Sequence, residues 1–399
     1  MACGRVLLFL AVGFVGLAYI LYTPFPEDAV EPHIQMAVSL IVGAIFKFCE
    51  FQECVGYRSF TNCARDPFYI DALMYKGAVS DDNVQVSEEL FDGVKVRLYV
   101  PRQQTGKRPL PGIIYLHGGG WSLGSPEMYD PLTRKLATSL TAVVASVDYR
   151  MAPEYPFPVP FEDCVMAAKY FMNNAEKFGV DARRIALSGD SAGGNLAMAV
   201  GTKLTSEGQA PRLLALLYPA LQMVDFNTPA YNTYQAMPFL LKKNRMVRFY
   251  LTYAFGNEKD IDKYLENRHV SESLRNTINT KVSRDLLPEK YQDLHVKEHV
   301  SIDTNLAQKV EKIITNKYLC PLMLDDDELY ELPKAYLMTC EYDPLRDDGL
   351  MLAKRWKDMY FPVTHVHWNG VQHGFINADG SRRTAEAVND CIKYLKSEL

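Results

Sequence analysis

The chain has 399 residues, of which 48% are hydrophobic and 23% charged. This is ordinary globular composition with ample material for a large core, and it excludes the disordered and fibrous classes. Its 43 Lys and Arg against 48 Asp and Glu give a net charge of −5. With no basic tract in the chain, that balance argues against nucleic acid as a partner.

The first predicted element is an N-terminal apolar run. Arg5 precedes an uncharged stretch from Val6 to Tyr22, and two prolines and the acids Glu27, Asp28 and Glu31 follow it. As a helix the run reaches about 25 Å, near the short end of what a bilayer core requires. Basic before and acidic after, it predicts a single-pass anchor over residues 1–23, with a cytoplasmic N-terminus and a lumenal body. A cleaved signal peptide is the alternative reading, with small residues at Gly16 and Ala18. The continuation of the run to Tyr22 favours the anchor. A second apolar segment, "MAVSLIVGAIFKF" from Met36, reads as too short and too broken to span. It is expected to pack on the body or to lie at the membrane surface. Eight cysteines, at 3, 49, 54, 63, 164, 320, 340 and 391, show no CxxC and no zinc spacing. Cys49, Cys54 and Cys63 are close enough in sequence to include a disulfide if the body is lumenal; buried free thiols are the other reading. Cys3, beside the membrane, is a weak acylation candidate.

From residue 84 the elements become regular. "VQVSEEL" and "VKVRLYVP" flank Asp92-Gly93 and predict a hairpin with a tight turn. "GIIYLHG" from Gly112 predicts a strand buried on both faces, and the next strand lies near Val143 to Val147. "FEDCVMAAKYFMNN" has helical periodicity. "RIALSGDSAGG" is a short strand running into glycines, followed by the helical "GGNLAMAVGTKL" and the strand "LLALLYP". Later come the strands "KAYLMTCEYD" and "VTHVHWN", each followed by helical sequence. This alternation predicts a mostly parallel sheet with helices on both faces, and functional groups at the carboxyl ends of its strands. Residues 24–83 and about 222–330 do not fit the alternation, and "AMPFLLKKNRMVRFYLTYAFGN" in the second region reads as helical. Both are expected to form a cap over the sheet: a membrane-proximal segment at 24–83, and an insertion in a catalytic domain spanning 84–399.

Gly189-Asp190-Ser191-Ala192-Gly193 is a G-x-S-x-G between a strand and a helix. At such a sharp turn the serine hydroxyl projects from the sheet, and bulky neighbours would clash. Ser191 is therefore the candidate nucleophile, and it needs a base. His373, in "GVQHGF" past the last strand, is the best placed; His365 and His367 lie within that strand and read as packing residues. The imidazole in turn needs an acid. Asp343 follows the strand "AYLMTCEY", while Asp347 and Asp348 compete but read as the acidic start of a helix. Three glycines after His117 offer backbone N–H groups at close range. Gly118, Gly119 and Ala192 are the expected oxyanion donors, with His117, Gly120 and Asp190 as supporting motif residues.

Taken together, "HGGGW" at 117–121, "DYRMAPEYPFP" at 148–158, "GDSAGGNLA" at 189–197, "EYDPLRDDG" at 341–349 and "HGF" at 373–375 resemble the hormone-sensitive-lipase family of α/β-hydrolases. The anchor followed by "YTPFP" is similar to the arylacetamide deacetylase-like branch. The resemblance covers essentially the whole chain. It implies an α/β-hydrolase fold with a helical cap, and a membrane-anchored, lumenal serine esterase. Ser191 falls on its nucleophile, Asp343 on its acid and His373 on its base. The expected substrates are carboxylic esters, lipid esters among them, or arylacetamides, hydrolysed without metal or organic cofactor. A neutral lipase or cholesteryl ester hydrolase is the alternative enzyme. A non-catalytic ligand-binding protein on the same fold is the alternative outside enzymes, and His373 in place argues against it. The terminal Lys396-Ser397-Glu398-Leu399 resembles an endoplasmic-reticulum retrieval address, though it also reads as the polar end of a helix.

Overall fold

A computed structural model describes residues 25–66, 80–102, 109–292 and 301–399, apart from Tyr234, Ala236, Pro238 and Asp379. The expected anchor at 6–22 lies outside these residues. Eight strands form one sheet: β1 (Val84–Phe91), β2 (Val94–Pro101), β3 (Leu110–Leu116), β4 (Val143–Asp148), β5 (Val180–Asp190), β6 (Leu213–Leu217), β7 (Ala335–Tyr342) and β8 (Val363–Gln372). Their order across the sheet is β1-β2-β4-β3-β5-β6-β7-β8. The pairs β1–β2 and β2–β4 are antiparallel. From β4 onward every neighbour is parallel. Asp92 at φ 48° and Gly93 at φ 89° close the β1–β2 hairpin in two residues. Positive φ at both is the primed turn whose twist matches the flanking strands.

The longer helices are α1 (Pro32–Cys54), α2 (Asp130–Leu140), α3 (Val159–Asn173), α4 (Ala192–Ser206), α5 (Lys243–Phe255), α6 (Thr304–Ile314), α7 (Arg346–Asp358) and α8 (Arg382–Glu398). The pleat sends alternate side chains to opposite faces of the sheet. Ile113 and Tyr115 of β3 join a core with Leu136 of α2 and Ile392 of α8. Ile114 and Leu116 join the core on the other face, with Phe171 of α3, Leu196 of α4 and Trp356 of α7. Residues 218–334, between β6 and β7, carry α5, α6 and several shorter helices. Within the stretch expected to be helical, α5 begins at Lys243, where the preceding Lys242 is extended (φ −121°, ψ 159°).

The second apolar segment differs from expectation in length. α1 is a 23-residue helix, and among the described residues it alone is long and apolar enough to cross a membrane by length and composition. The sequence pattern understated it because two polar positions face inward. Buried Gln35 donates from Nε2 to Gly370 O at 2.8 Å and accepts from Gln372 N at 3.0 Å. Buried Ser39 donates to Gln372 Oε1 at 2.9 Å. At its far end Glu53 pairs with Arg248 of α5, and Cys49 is bonded to Cys63. The helix therefore packs on the body, one of the two placements expected of it.

Candidate active site

Three loops at the carboxyl ends of β5, β7 and β8 converge on one point. Ser191 follows β5 directly at φ 55° and ψ −119°, a conformation that an L residue holds only when its surroundings enforce it. Its N–H donates to Leu217 O at 2.9 Å, and α4 starts at the next residue. Gly193 makes that sharp departure feasible. A Cβ there would sit 2.0 Å from Leu116 O, so β3 and α4 approach each other only without one. Ser191 Oγ lies 2.9 Å from His373 Nε2, and His373 Nδ1 lies 2.7 Å from Asp343 Oδ2. Asp343 is fully buried, and its other oxygen accepts from Leu345 N at 2.8 Å. The competing acids go elsewhere. Asp348 accepts from Leu221 N at 3.1 Å and Gln222 Nε2 at 2.9 Å, and Asp347 from Ala230 N at 2.7 Å.

The glycine loop corrects one expected donor. Gly118 N–H donates within the protein, at 2.9 Å to Asp190 Oδ1 and 3.1 Å to the Tyr129 hydroxyl. It is already satisfied and is not an oxyanion donor. The N–H groups of Gly119, Gly120 and Ala192 make no hydrogen bond among the described residues. Gly119 stands at φ 112°, with room for no Cβ, since Leu123 O would lie 2.1 Å from it. Asp190 also accepts from Tyr115 at 3.0 Å and Tyr129 at 2.9 Å, and burial raises its pKa above the ordinary carboxylate value despite these donors. His117 is buried and stacked on Tyr149, with Nδ1 2.8 Å from Gly118 O. Burial holds its pKa down to about 4, so it is neutral and structural.

Ser191 and His373 line a cavity of about 740 Å³. Its walls are mostly apolar: Val38, Val42 and Phe46 of α1 face Met246 and Phe249 of α5, with Leu241 beside them. Several contributors were not anticipated from sequence. Tyr115 and Tyr129 hold Asp190, Cys340 donates its thiol to Asp343 at 3.3 Å, and Gln372 ties the base loop to α1. For Tyr115 a signal existed, since a buried tyrosine in a strand needs a partner for its hydroxyl. For Gln372 none did, because its partners lie more than 130 residues away in sequence. Among the described residues no three His, Cys, Asp or Glu side chains are grouped as a metal site needs.

Comparison with known proteins shows the family and the fold. A family described as having the alpha/beta hydrolase fold matches residues 113–288 and 278–377. Arylacetamide deacetylase of Oryctolagus cuniculus is 35% identical over 404 residues, covering 99% of this chain and 100% of that protein. Neutral cholesterol ester hydrolase 1 of Mus musculus is 33% identical over 369 residues, covering 90% of this chain and 89% of that protein. Among solved structures, a hyperthermophilic esterase from the archaeon Pyrobaculum calidifontis superposes with a TM-score of 0.63 at 30% identity, covering 84% of this chain and 93% of that one.

Proposed function

The chain belongs to the α/β-hydrolase fold family, in its hormone-sensitive-lipase group on the arylacetamide deacetylase-like branch, and from that premise we propose a membrane-anchored serine esterase that cleaves apolar carboxylic esters through an acyl-enzyme on Ser191. Its relatives are named as a deacetylase of arylacetamides and a hydrolase of cholesterol esters; the residue roles, substrate class and membrane placement are our reading. The observation that carries it is the contact chain Ser191–His373–Asp343 at the floor of an apolar cavity.

In this reading Ser191 Oγ attacks the ester carbonyl carbon while His373 Nε2 takes its proton. Asp343 holds the Nδ1–H tautomer and stabilises the imidazolium that forms. The carbonyl oxygen becomes an oxyanion and accepts from the N–H groups of Gly119 and Ala192, each worth about 3 kcal/mol of barrier. Collapse of the adduct breaks the ester C–O bond, and the leaving alkoxide takes the proton from His373. Water then enters, His373 removes its proton as the water oxygen bonds to the acyl carbon, and cleavage of the acyl–Ser191 bond releases the acid as His373 returns that proton to Ser191 Oγ. No step calls for a metal or an organic cofactor.

Residues 24–83 and about 222–330 act as the cap in this reading, supported by α1 and α5 lining the cavity above Ser191. The cavity suits a bulky apolar ester, the class named by neutral cholesterol ester hydrolase, as well as a compact arylacetamide. Residues 6–22 are the anchor, and the Cys49–Cys63 disulfide supports a body in the oxidising lumen of the endoplasmic reticulum. The decisive test is Ser191→Ala. Hydrolysis of a p-nitrophenyl ester and labelling by a fluorophosphonate should both vanish, with the circular dichroism spectrum unchanged. Hydrolysis near the wild-type rate would remove Ser191 from the mechanism.

A further inference from the structure

α1 carries apolar side chains outward as well as inward, which a helix on a water-facing body does not need. Its inward positions include the polar Gln35 and Ser39, together with Phe46 and Cys49. Its outward side carries Ala37, Ile41, Ala44, Phe48 and Phe51, with Val55 just past the end, all exposed. The spacing is 4, 3, 4, 3, 4, so at 100° per residue the six lie within an arc of about 80° and run for about 27 Å. Ile41, Phe48, Phe51 and Val55 are 63%, 59%, 62% and 58% exposed, too much for side chains that help the fold. A continuous apolar stripe of this kind marks a surface that is covered by something else.

Two observations select what covers it. The apolar run that ends at Tyr22 is only nine residues from Pro32. At about 3.5 Å per residue, α1 begins no more than about 35 Å from the face of the bilayer that holds that run. The stripe is also continuous with the cavity, since Ile41 is exposed on the outside and lines the space above Ser191. We infer that α1 lies flat on the bilayer surface through this stripe, so that the cavity mouth opens at the lipid interface and takes its ester directly from the membrane. The inference rests on the anchored-esterase reading and adds to it a second contact with lipid.

The test uses the full chain reconstituted in phosphatidylcholine vesicles. F48W places an indole on the stripe; the three native tryptophans, Trp121, Trp356 and Trp368, are buried. Brominated phosphatidylcholine should quench the added emission and leave the wild-type spectrum unchanged. In parallel, F48E/F51E should hydrolyse a water-soluble short-chain ester within about twofold of wild type, and a long-chain ester dissolved in the bilayer about tenfold more slowly. An unquenched indole, or wild-type hydrolysis of the bilayer-borne ester by F48E/F51E, overturns the inference. So does dissociation of a detergent-solubilised oligomer by F48E/F51E, which would make the stripe a contact between copies. Failure of the underlying reading looks different. A wild-type protein inactive on the soluble ester loses the esterase assignment, and one extracted from vesicles by alkaline carbonate loses the anchor.

Discussion

Asp343 and Asp348 lie five residues apart and are both fully buried, yet they face different partners. Asp343→Asn leaves His373 without a carboxylate at Nδ1, and kcat should fall by about 10³- to 10⁴-fold with little change in stability. Asp348→Asn instead sets an amide NH₂ against Leu221 N–H or the Gln222 amide, both of which are donors. It should cost about 1–3 kcal/mol of stability and change kcat of the folded enzyme less than about tenfold. Steady-state rates and thermal melts on the pair decide, and a larger kcat loss in Asp348→Asn would transfer the acid role to it. His117 gives a pH signature of its own. Its pKa is held near 4, below the 6.5 of a free imidazole. Between those values the unfolded chain binds a proton there and the native chain does not. Its contribution is therefore complete above pH 6.5 and is lost as the pH falls toward 4. Asp190 and Asp348, raised by burial, act with the opposite sign. The readout is therefore the difference between wild type and His117→Gln, with Tm falling less steeply below pH 6.5 in the variant. Parallel Tm curves would contradict a depressed His117.

The elbow between β5 and α4 is where an element's geometry depends on one missing atom. Gly193→Ala places a Cβ 2.0 Å from Leu116 O and 2.6 Å from His117 O, both backbone atoms that cannot swing aside. We expect a loss of about 1–3 kcal/mol in stability and of most activity, since the shift moves Ala192 N–H as well. Urea unfolding together with single-turnover acylation would show both, and a variant with wild-type acylation would mean the elbow relaxes freely. Elements of this kind were legible in the sequence, because glycines, a strand and a following helix are all local signals. The hairpin and the buried strands were legible for the same reason. Three features were not. The start of α5 depends on the extended Lys242, which helical periodicity runs through. Two inward-facing positions of α1, Gln35 and Ser39, are polar, so its length was hidden by a pattern that presumes apolar residues inside. The diversion of Gly118 N–H depends on two tyrosines brought to Asp190 by different elements, and spacing alone cannot tell a glycine that donates to substrate from one that donates to protein.

At the scale of the whole molecule, the topology reading has a direct consequence for protease access. With an anchor at 6–22 and acids on its carboxyl side, the body should be protected from trypsin in sealed microsomes and digested once detergent is added. Digestion without detergent would put the catalytic body in the cytosol. The Cys49–Cys63 bond would then sit in a reducing compartment, against its usual habitat. The network at Gln372 bears on how this enzyme can be handled. The residue just before His373 takes its position from α1, through the Gln35 backbone carbonyl and side chain and the Ser39 hydroxyl, and from Leu240 N–H. A shortened form made to be water-soluble can begin near Pro26 and keep this arrangement. One that begins after Cys54, where the apolar character ends, discards a wall of the cavity and the support of the base loop at once. Solubility gained that way would be measured on an enzyme whose proton acceptor is no longer held in place.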